Sequence, residues 1–354
     1  MASIDNLKLH DIAVRNAVLL ESLKKYEISK RDNVFRQLRK ELDTVMGKVQ
    51  YEDLGLMTKK EVAKLLRELK AAHAGFYDVV GDGLVKTVED FSGGKLVASK
   101  PLWANVRLDI NSEEEVDDLV GDDDVDTYMR DAGSDGSVPL ALLFSGSLLL
   151  ERLLKEPIPA LGVPLRDMVE RYGKQSEERL AALVMQAWGS GWTWKQLHDA
   201  LLGAPGVRQG HNGYVAQIQA QFSSVVDTSL GFANDFVDAA VTSSILSKRY
   251  RWVSIMDHRT SAICQERNGK IFVAGKGPLP PAHMRCRSTT VPVVDGVDGV
   301  DDATDGINES MAEWHKRQPE SIKKYGIIDK SGAYRATTPL TPDEFFTLTS
   351  NWKN

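Results

Sequence analysis

Both cysteines of this 354-residue chain and one of its seven histidines fall in one short stretch, as Cys264-x18-His283-x2-Cys286. Thiolate and imidazole are the ligand types that zinc selects, and a tetrahedral ion can staple a turn-rich unit too small to hold itself by burial alone. A closed structural site takes four protein ligands, and Asp257 is the candidate for the fourth. Two other arrangements use the same residues: free thiols beside a hydrogen-bonding histidine, and a Cys264–Cys286 disulfide, which a reducing cytosol disfavours. The residue types also suit a hydrolase acting on nucleic acid or peptidoglycan, with Cys264 or a metal-bound water as nucleophile and His283 or Glu266 as base. The usual frames for such chemistry are missing: the sequence has no H-E-x-x-H, no G-x-S-x-G and no G-x-x-x-x-G-K-[ST], and the stretch holds no paired acidic metal signature. A non-enzymatic role is therefore expected.

The elements that must position these residues are short. Tyr250 to Met256 alternates large apolar and polar residues and reads as a strand; Asn268-Gly269 gives a hairpin-type turn into a second strand, Lys270 to Val273. A Gly/Pro-rich loop, Gly275 to Pro281, delivers His283 and Cys286, and Ser288 to Val294 reads as a third strand. Between the first two strands, Asp257, Arg259 and Thr260 suit a tight turn in which the carboxylate accepts backbone amides and pairs with the neighbouring arginine.

The combination Trp252-x4-Asp257-x-Arg259-Thr260-Ser261-x2-Cys264, Asn268-Gly269-Lys270-x-Phe272, Pro280-Pro281-x-His283-x2-Cys286-Arg287-Ser288 and Val291-Pro292 resembles the core of the phage Mu F-like minor head proteins. The resemblance covers about residues 213 to 294. The tail, with Trp314, Gln318-Pro319, Gly326, Tyr334-Arg335 and Leu340 to Phe345, is similar to the end of many such chains. It implies a head morphogenesis protein of a tailed double-stranded DNA bacteriophage, made in the host bacterial cytoplasm and carried in few copies at the portal vertex or in the head interior of the virion. The implied partners are the portal protein, other capsid or ejection proteins and genomic DNA. The structural motif residues would be Trp252, Asp257, Arg259, Thr260, Asn268, Gly269 and Arg287. Many members have cysteine where this chain has Ser261, and Pro-x-Cys-Arg-Cys where it has Met284 to Ser288, so two sulfur ligands are absent here. Where relatives often carry Arg-Thr-Glu, this chain has Val226-Asp227-Thr228-Ser229. Only some 60 residues follow Val294, which leaves little room for an appended enzyme.

The rest of the chain reads as helical. The S/T-x-x-D/E spacings of Ser29 with Asp32 and Thr58 with Glu61 predict two capped helix starts. Phe35, Leu38, Leu42, Val45 and Val49 then repeat at three and four, with Lys30, Arg31, Arg36, Arg39 and Lys40 outside. Val62, Leu65, Leu66 and Leu69 do the same above Lys59, Lys60, Lys64, Arg67 and Lys70, a basic face that is either solvated or placed to meet DNA or an acidic partner. Thr193 caps a helix with Trp194, Leu197 and Leu201 on one face, Trp192 and Trp194 read as packing residues, and the spacings from Ile218 to Ala240 predict a long helix or two joined ones over Gly213 to Ser247.

Residues 113–135 carry three Glu and eight Asp against one Arg, a net charge of −10, so the rest of the chain carries about +4 of the overall −6. Such a block repels itself and reads as a solvated loop; its Asp122 to Asp126 run lacks the spacing and twelfth-position Glu of a calcium-binding EF-hand. The overall charge argues against a protein whose main task is to coat DNA. No basic stretch followed by an apolar one opens the sequence, so no secretory signal is expected. The longest apolar run, Val138 to Leu150, falls short of the roughly 20 residues of a membrane span. The expected fold is mainly α with a small α+β C-terminal module: a helical region over 1–110, an acidic loop or linker over 111–138, a helical core over 139–247, a β-rich module over 248–294 and a tail with short helices over 295–354.

Overall fold

Helical periodicity governs most of the chain, and short strands appear where it stops. The computed structural model describes residues 6–49, 52–110, 146–204, 213–245, 249–273, 276–293 and 309–350; the acidic block 113–135 and the run from Asp295 to Asp302 lie outside them. In order, the helices are α1 (Asn6–Lys30), α2 (Asp32–Met46), α3 (Lys59–Ile110), α4 (Gly146–Lys155), α5 (Leu165–Gly189), α6 (Trp194–Leu202) and α7 (Gly213–Ile245). The strands β1 (Arg249–Ser254), β2 (Ile271–Val273) and β3 (Ser288–Pro292) follow, with the six-residue helix α8 (Ala262–Arg267) between the first two. The tail adds α9 (Met311–Arg317), α10 (Glu320–Lys323), β4 (Gly326–Ile328), β5 (Tyr334–Ala336) and α11 (Pro342–Ser350). The fold is mainly α with a small α+β region near the C-terminus, as the sequence predicts. Among the described residues no helix is long and apolar enough to cross a membrane.

Two compact units interleave along the chain, the first built from 1–26, 88–164 and 227–354 and the second from 27–87 and 165–226. The boundaries read from composition thus do not coincide with folding units, because α1, α3 and α7 each contribute residues to both. In the second unit, Phe35 of α2 lies 4.9 Å from Phe76 and 5.7 Å from Phe222, ring centre to ring centre. Of the two tryptophans read as packing residues, Trp192 is half-buried, and Trp194 is half-buried, stacks on His198 at 4.9 Å and donates its indole nitrogen to the Met46 carbonyl, while Trp188 donates to the Met57 carbonyl. In the first unit, α1 buries Leu9, Val18, Leu19 and Leu23, and the tail closes on it: Trp314 Nε1 donates to Asp11, and the Leu340 amide donates to the Ser22 carbonyl.

The caps separate one correct helix start from one misplaced one. At Thr58 the amide and hydroxyl both donate to Glu61 Oε2, at 2.8 and 2.7 Å, and α3 begins there as predicted. Thr193 forms the same reciprocal box with Gln196 at the start of α6. Ser29 does not start a helix: it lies within α1, which runs on to Lys30, and Arg31 stands at the N-cap of α2 without a side-chain cap bond. Nor does Arg31 belong to the outer basic face. It is buried, its guanidinium donating to Glu27, the Gly83 carbonyl and Thr87, because an unpaired charge there would be costly.

Two glycines of the second unit differ in what a methyl group would meet. At Gly173 in α5 a Cβ would overlap the Tyr77 ring, whose hydroxyl is fixed on the Val169 carbonyl at 2.6 Å; at exposed Gly75 in α3 it would meet nothing. Gly173→Ala is expected to lower unfolding free energy by about 1–3 kcal/mol. Gly75→Ala should raise it by about 0.5–1 kcal/mol through helix propensity alone. Urea denaturation of the two variants checks both signs.

Candidate metal centre

The first-unit sheet has the order β2-β1-β3, antiparallel throughout, with Trp252 opposite Thr290 and Ser254 opposite Ser288. Alternation along β1 turns Trp252 to one face, where it packs in a buried cluster with Cys264 and Cys286, and Phe272 and Ala282 lie against the cluster. The Trp252 indole donates to Ser254 Oγ at 3.0 Å, and the Ser254 hydroxyl lies 3.2 Å from the Cys264 carbonyl and 2.8 Å from Ser288 Oγ. Arg267 covers the indole from outside, 5.1 Å from the ring centre. Asn268 accepts the Ser254 amide on its side chain, and Gly269, at φ +80°, donates its amide to the Trp252 carbonyl. The Asn-Gly turn is therefore present, but it joins a helix to β2 and does not link two strands directly.

Below β1 the chain turns through Asp257, a carboxylate with no exposed surface. Arg287 clamps it with two parallel bonds, 2.8 Å to Oδ2 and 2.5 Å to Oδ1; the amides of Arg259 and Tyr334 donate to the same two oxygens at 2.8 and 3.1 Å. Burial alone would raise its pKa, but the bonds and charge of Arg287 with the two amides outweigh it and hold the carboxyl below its ordinary 3.8. The backbone acceptance was expected, whereas the arginine that pairs is Arg287 from the strand entry and not the neighbouring Arg259. The Arg259 guanidinium instead reaches the Tyr334 carbonyl at 3.3 Å. Thr260 closes the turn, its hydroxyl donating to the Ile255 carbonyl at 2.6 Å and accepting the Asp257 amide at 3.0 Å.

The thiols and the imidazole meet on the other side of this turn. Cys264 Sγ lies 3.6 Å from Cys286 Sγ and 3.3 Å from His283 Nε2, and the three ligand atoms lie within 4.8 Å of one another. This group could hold a metal ion. Asp257 is not part of it, since its oxygens are engaged with Arg287 and two amides. Both cysteines are buried and free, and their sulfur separation is well beyond the roughly 2.05 Å of a disulfide. His283 Nδ1 sits 2.9 Å from the Met284 carbonyl, which fixes the proton on that nitrogen and leaves Nε2 to face the sulfurs. Accepting a bond from the Cys286 thiol, against burial and with help from Ser261, Ser288 and the Arg267 charge, brings Cys264 down to about 6; the same bond and burial push Cys286 far up.

Ser261 caps α8 through the Cys264 amide, and its hydroxyl lies 2.8 Å from His283 Nε2. This short helix escaped sequence reading, being under two turns long. The loop carrying His283 and Cys286 is fixed by α7. Arg285 adopts a positive φ of 59°, a conformation costly for a side chain, and its amide donates to Thr228 Oγ1 at 3.1 Å. A cavity of about 10 Å³ remains beside Ser261, Cys264 and His283. Of the expected basic face, Lys59, Lys60, Lys64 and Arg67 are exposed on α3, whereas Lys70 is half-buried and paired with Glu177 at 2.8 Å. No family model, curated protein or solved structure matches the chain.

Asp257→Asn should cost about 3–5 kcal/mol of unfolding free energy, because it leaves Arg287 buried without its counter-charge. The pH dependence has a definite sign. A carboxyl whose folded pKa lies below 3.8 contributes stability that is complete above that pH and lost as the pH falls through the folded value. Urea midpoints from pH 6 to pH 2 should therefore fall in acid for the wild type, and the difference between wild type and Asp257→Asn should shrink there.

Proposed function

We propose that this chain is a minor virion protein of a tailed double-stranded DNA bacteriophage, a head morphogenesis component of the portal vertex or capsid interior, and that its C-terminal module is a zinc-stapled structural unit and not an active site. The observation that carries the reading is that the motif residues are committed to architecture. Trp252 is core, Asp257 and Arg287 form a closed ion pair, Thr260 and Asn268 hold turns, and the thiols are buried. Residues arranged in this way transmit shape to a partner; they do not present a reacting group.

The choice of zinc is supported by spacing. Tetrahedral zinc with Zn–S near 2.3 Å and Zn–N near 2.05 Å sets its ligands about 3.7 Å (sulfur to sulfur) and about 3.5 Å (sulfur to nitrogen) apart. Two of the three separations, 3.6 and 3.3 Å, lie within a few tenths of those values, and the third, Cys286 Sγ to His283 Nε2, is within 4.8 Å. When bound, the ion would supply a cross-link and no redox chemistry. Cys264 would anchor it on α8, His283 and Cys286 on the loop before β3, and the Met284 carbonyl would orient the imidazole. The lowered Cys264 thiol beside His283 favours a Cys/His hydrolase as the second reading, but Cys264 is 2% exposed, which argues against attack by its sulfur on a peptide or nucleotide.

The exposed Lys59, Lys60, Lys64 and Arg67 are proposed as a contact face for the portal protein, an ejection protein or genomic DNA. A DNA contact would weaken steeply with salt.

Quantifying the chain in purified virions before and after triggered genome release tests the placement. A few copies before release are expected, and absence from mature particles would overturn it. Zinc at a hundred times its Kd should add about 2.7 kcal/mol to wild-type stability and little to Cys264→Ser or His283→Ala. A folded, equally stable Cys264→Ser protein that had lost a hydrolytic turnover would favour the enzyme instead.

A further inference from the structure

We propose that the fourth position of the Cys264–His283–Cys286 centre is not closed by the protein but takes an exchangeable small anion or water, with the Ser261 hydroxyl placed to hydrogen-bond that ligand. The inference rests on the metal reading above and specifies what the metal would bind.

Among the described residues the metal-competent group has three members. The cavity beside them is walled by hydroxyl and guanidinium groups, with no carboxylate, second imidazole or third sulfur in its lining. Glu266, the nearest acid in sequence, is exposed and paired with Lys270 at 3.2 Å, and Asp257 cannot turn toward the centre without breaking its clamp with Arg287 and releasing the Tyr334 amide. The oxygens at hand are hydroxyls, Ser261 Oγ at 2.8 Å from His283 Nε2 and Ser288, which hydrogen-bonds to both thiols, and a neutral hydroxyl is outside the usual ligand set of zinc.

Space and charge then select the ligand. The cavity admits a water-sized group and is open on one side to solvent, so a small anion can enter end-on. Two thiolates neutralise a divalent ion, so an added negative ligand must find its own compensation. The cavity wall supplies it in Arg259, while Arg285, also in the wall, already faces Asp227 at 3.6 Å. The Arg259 guanidinium bonds to a carbonyl and makes no ion pair among the described residues, so its positive charge remains available to an anion. Ser261 completes the site. Its position is fixed as the α8 cap, and its hydroxyl lies 2.8 Å from the nitrogen that would face the metal. Once Nε2 holds a metal, that hydroxyl has no acceptor on the imidazole and can donate to the incoming ligand instead. Small σ-donor anions such as azide, thiocyanate, chloride and hydroxide fit these terms.

The test uses the full-length chain loaded with Co²⁺, whose visible absorption reports ligand type and number, with azide as probe. The expected result is one Co²⁺ per chain, tetrahedral thiolate bands and a saturable shift of those bands on adding azide. Ser261→Cys should retain Co²⁺, gain thiolate-to-cobalt absorption and lose the azide response. If Ser261→Cys fails to fold, the wild-type titration still decides. Co²⁺ bound with bands indifferent to azide would overturn the open position while leaving the metal reading intact. No Co²⁺ retained by the wild type would overturn both.

Discussion

The Asp257 carboxylate has no contact with solvent, so its charge has to be met where it lies, and the C-terminal third of the first unit is arranged around that requirement. Arg287 answers it with a two-pronged clamp, which brings the entry of β3 against the exit of β1. The amides of Arg259 and Tyr334 take up the remaining lone pairs, which shapes the turn before α8 and ties β5 of the tail to the sheet. One carboxylate thus joins three segments that are far apart in sequence, and the loss of any one donor would leave a buried charge without full compensation.

The thiol and imidazole cluster depends on that arrangement. Arg287 is the residue after Cys286, so the clamp that satisfies Asp257 also sets the distance from Cys286 to α8 and hence to Cys264. From the other side, Thr228 in α7 holds the Arg285 backbone in its left-handed turn, which carries the loop from His283 to Cys286 around the cluster. Trp252 fills the space behind the sulfurs. The three candidate ligands are therefore held by a fully bonded pair, a helix hydroxyl and a packed indole, a preorganised set whose cost has been met by contacts that do not touch the metal position.

What could be read from the sequence followed the range of the interactions. The strands at β1, β2 and β3, the caps at Thr58 and Thr193 and the helical stretch of α7 depend on neighbours within a few residues, and local patterning locates them, though it leaves open whether α7 is one helix or two. The grouping of Cys264, His283 and Cys286 followed from ligand chemistry and spacing. Asp257 was noticed for the right chemistry but given the wrong partner, since an arginine two residues away is a more obvious candidate than one thirty away, and nothing local indicates that Arg259 would instead reach Tyr334. Arg31 was assigned to a solvated face because its own helix pattern allows it; its burial depends on Gly83 and Thr87, more than fifty residues on. Ser261 passed as a missing ligand, and its role as helix cap and neighbour of His283 follows only once α8 is seen.

Hydrogen exchange on the full-length chain, with and without a chelator that strips zinc, addresses the claim that the motif is a metal-held staple most directly. The account predicts that chelation lowers the protection of the β1, β3 and α8 amides while α5 and α6 in the second unit keep theirs. Equal protection of the module with and without the chelator would mean that the Asp257–Arg287 pair and the Trp252 core suffice, and would contradict a structural role for a metal.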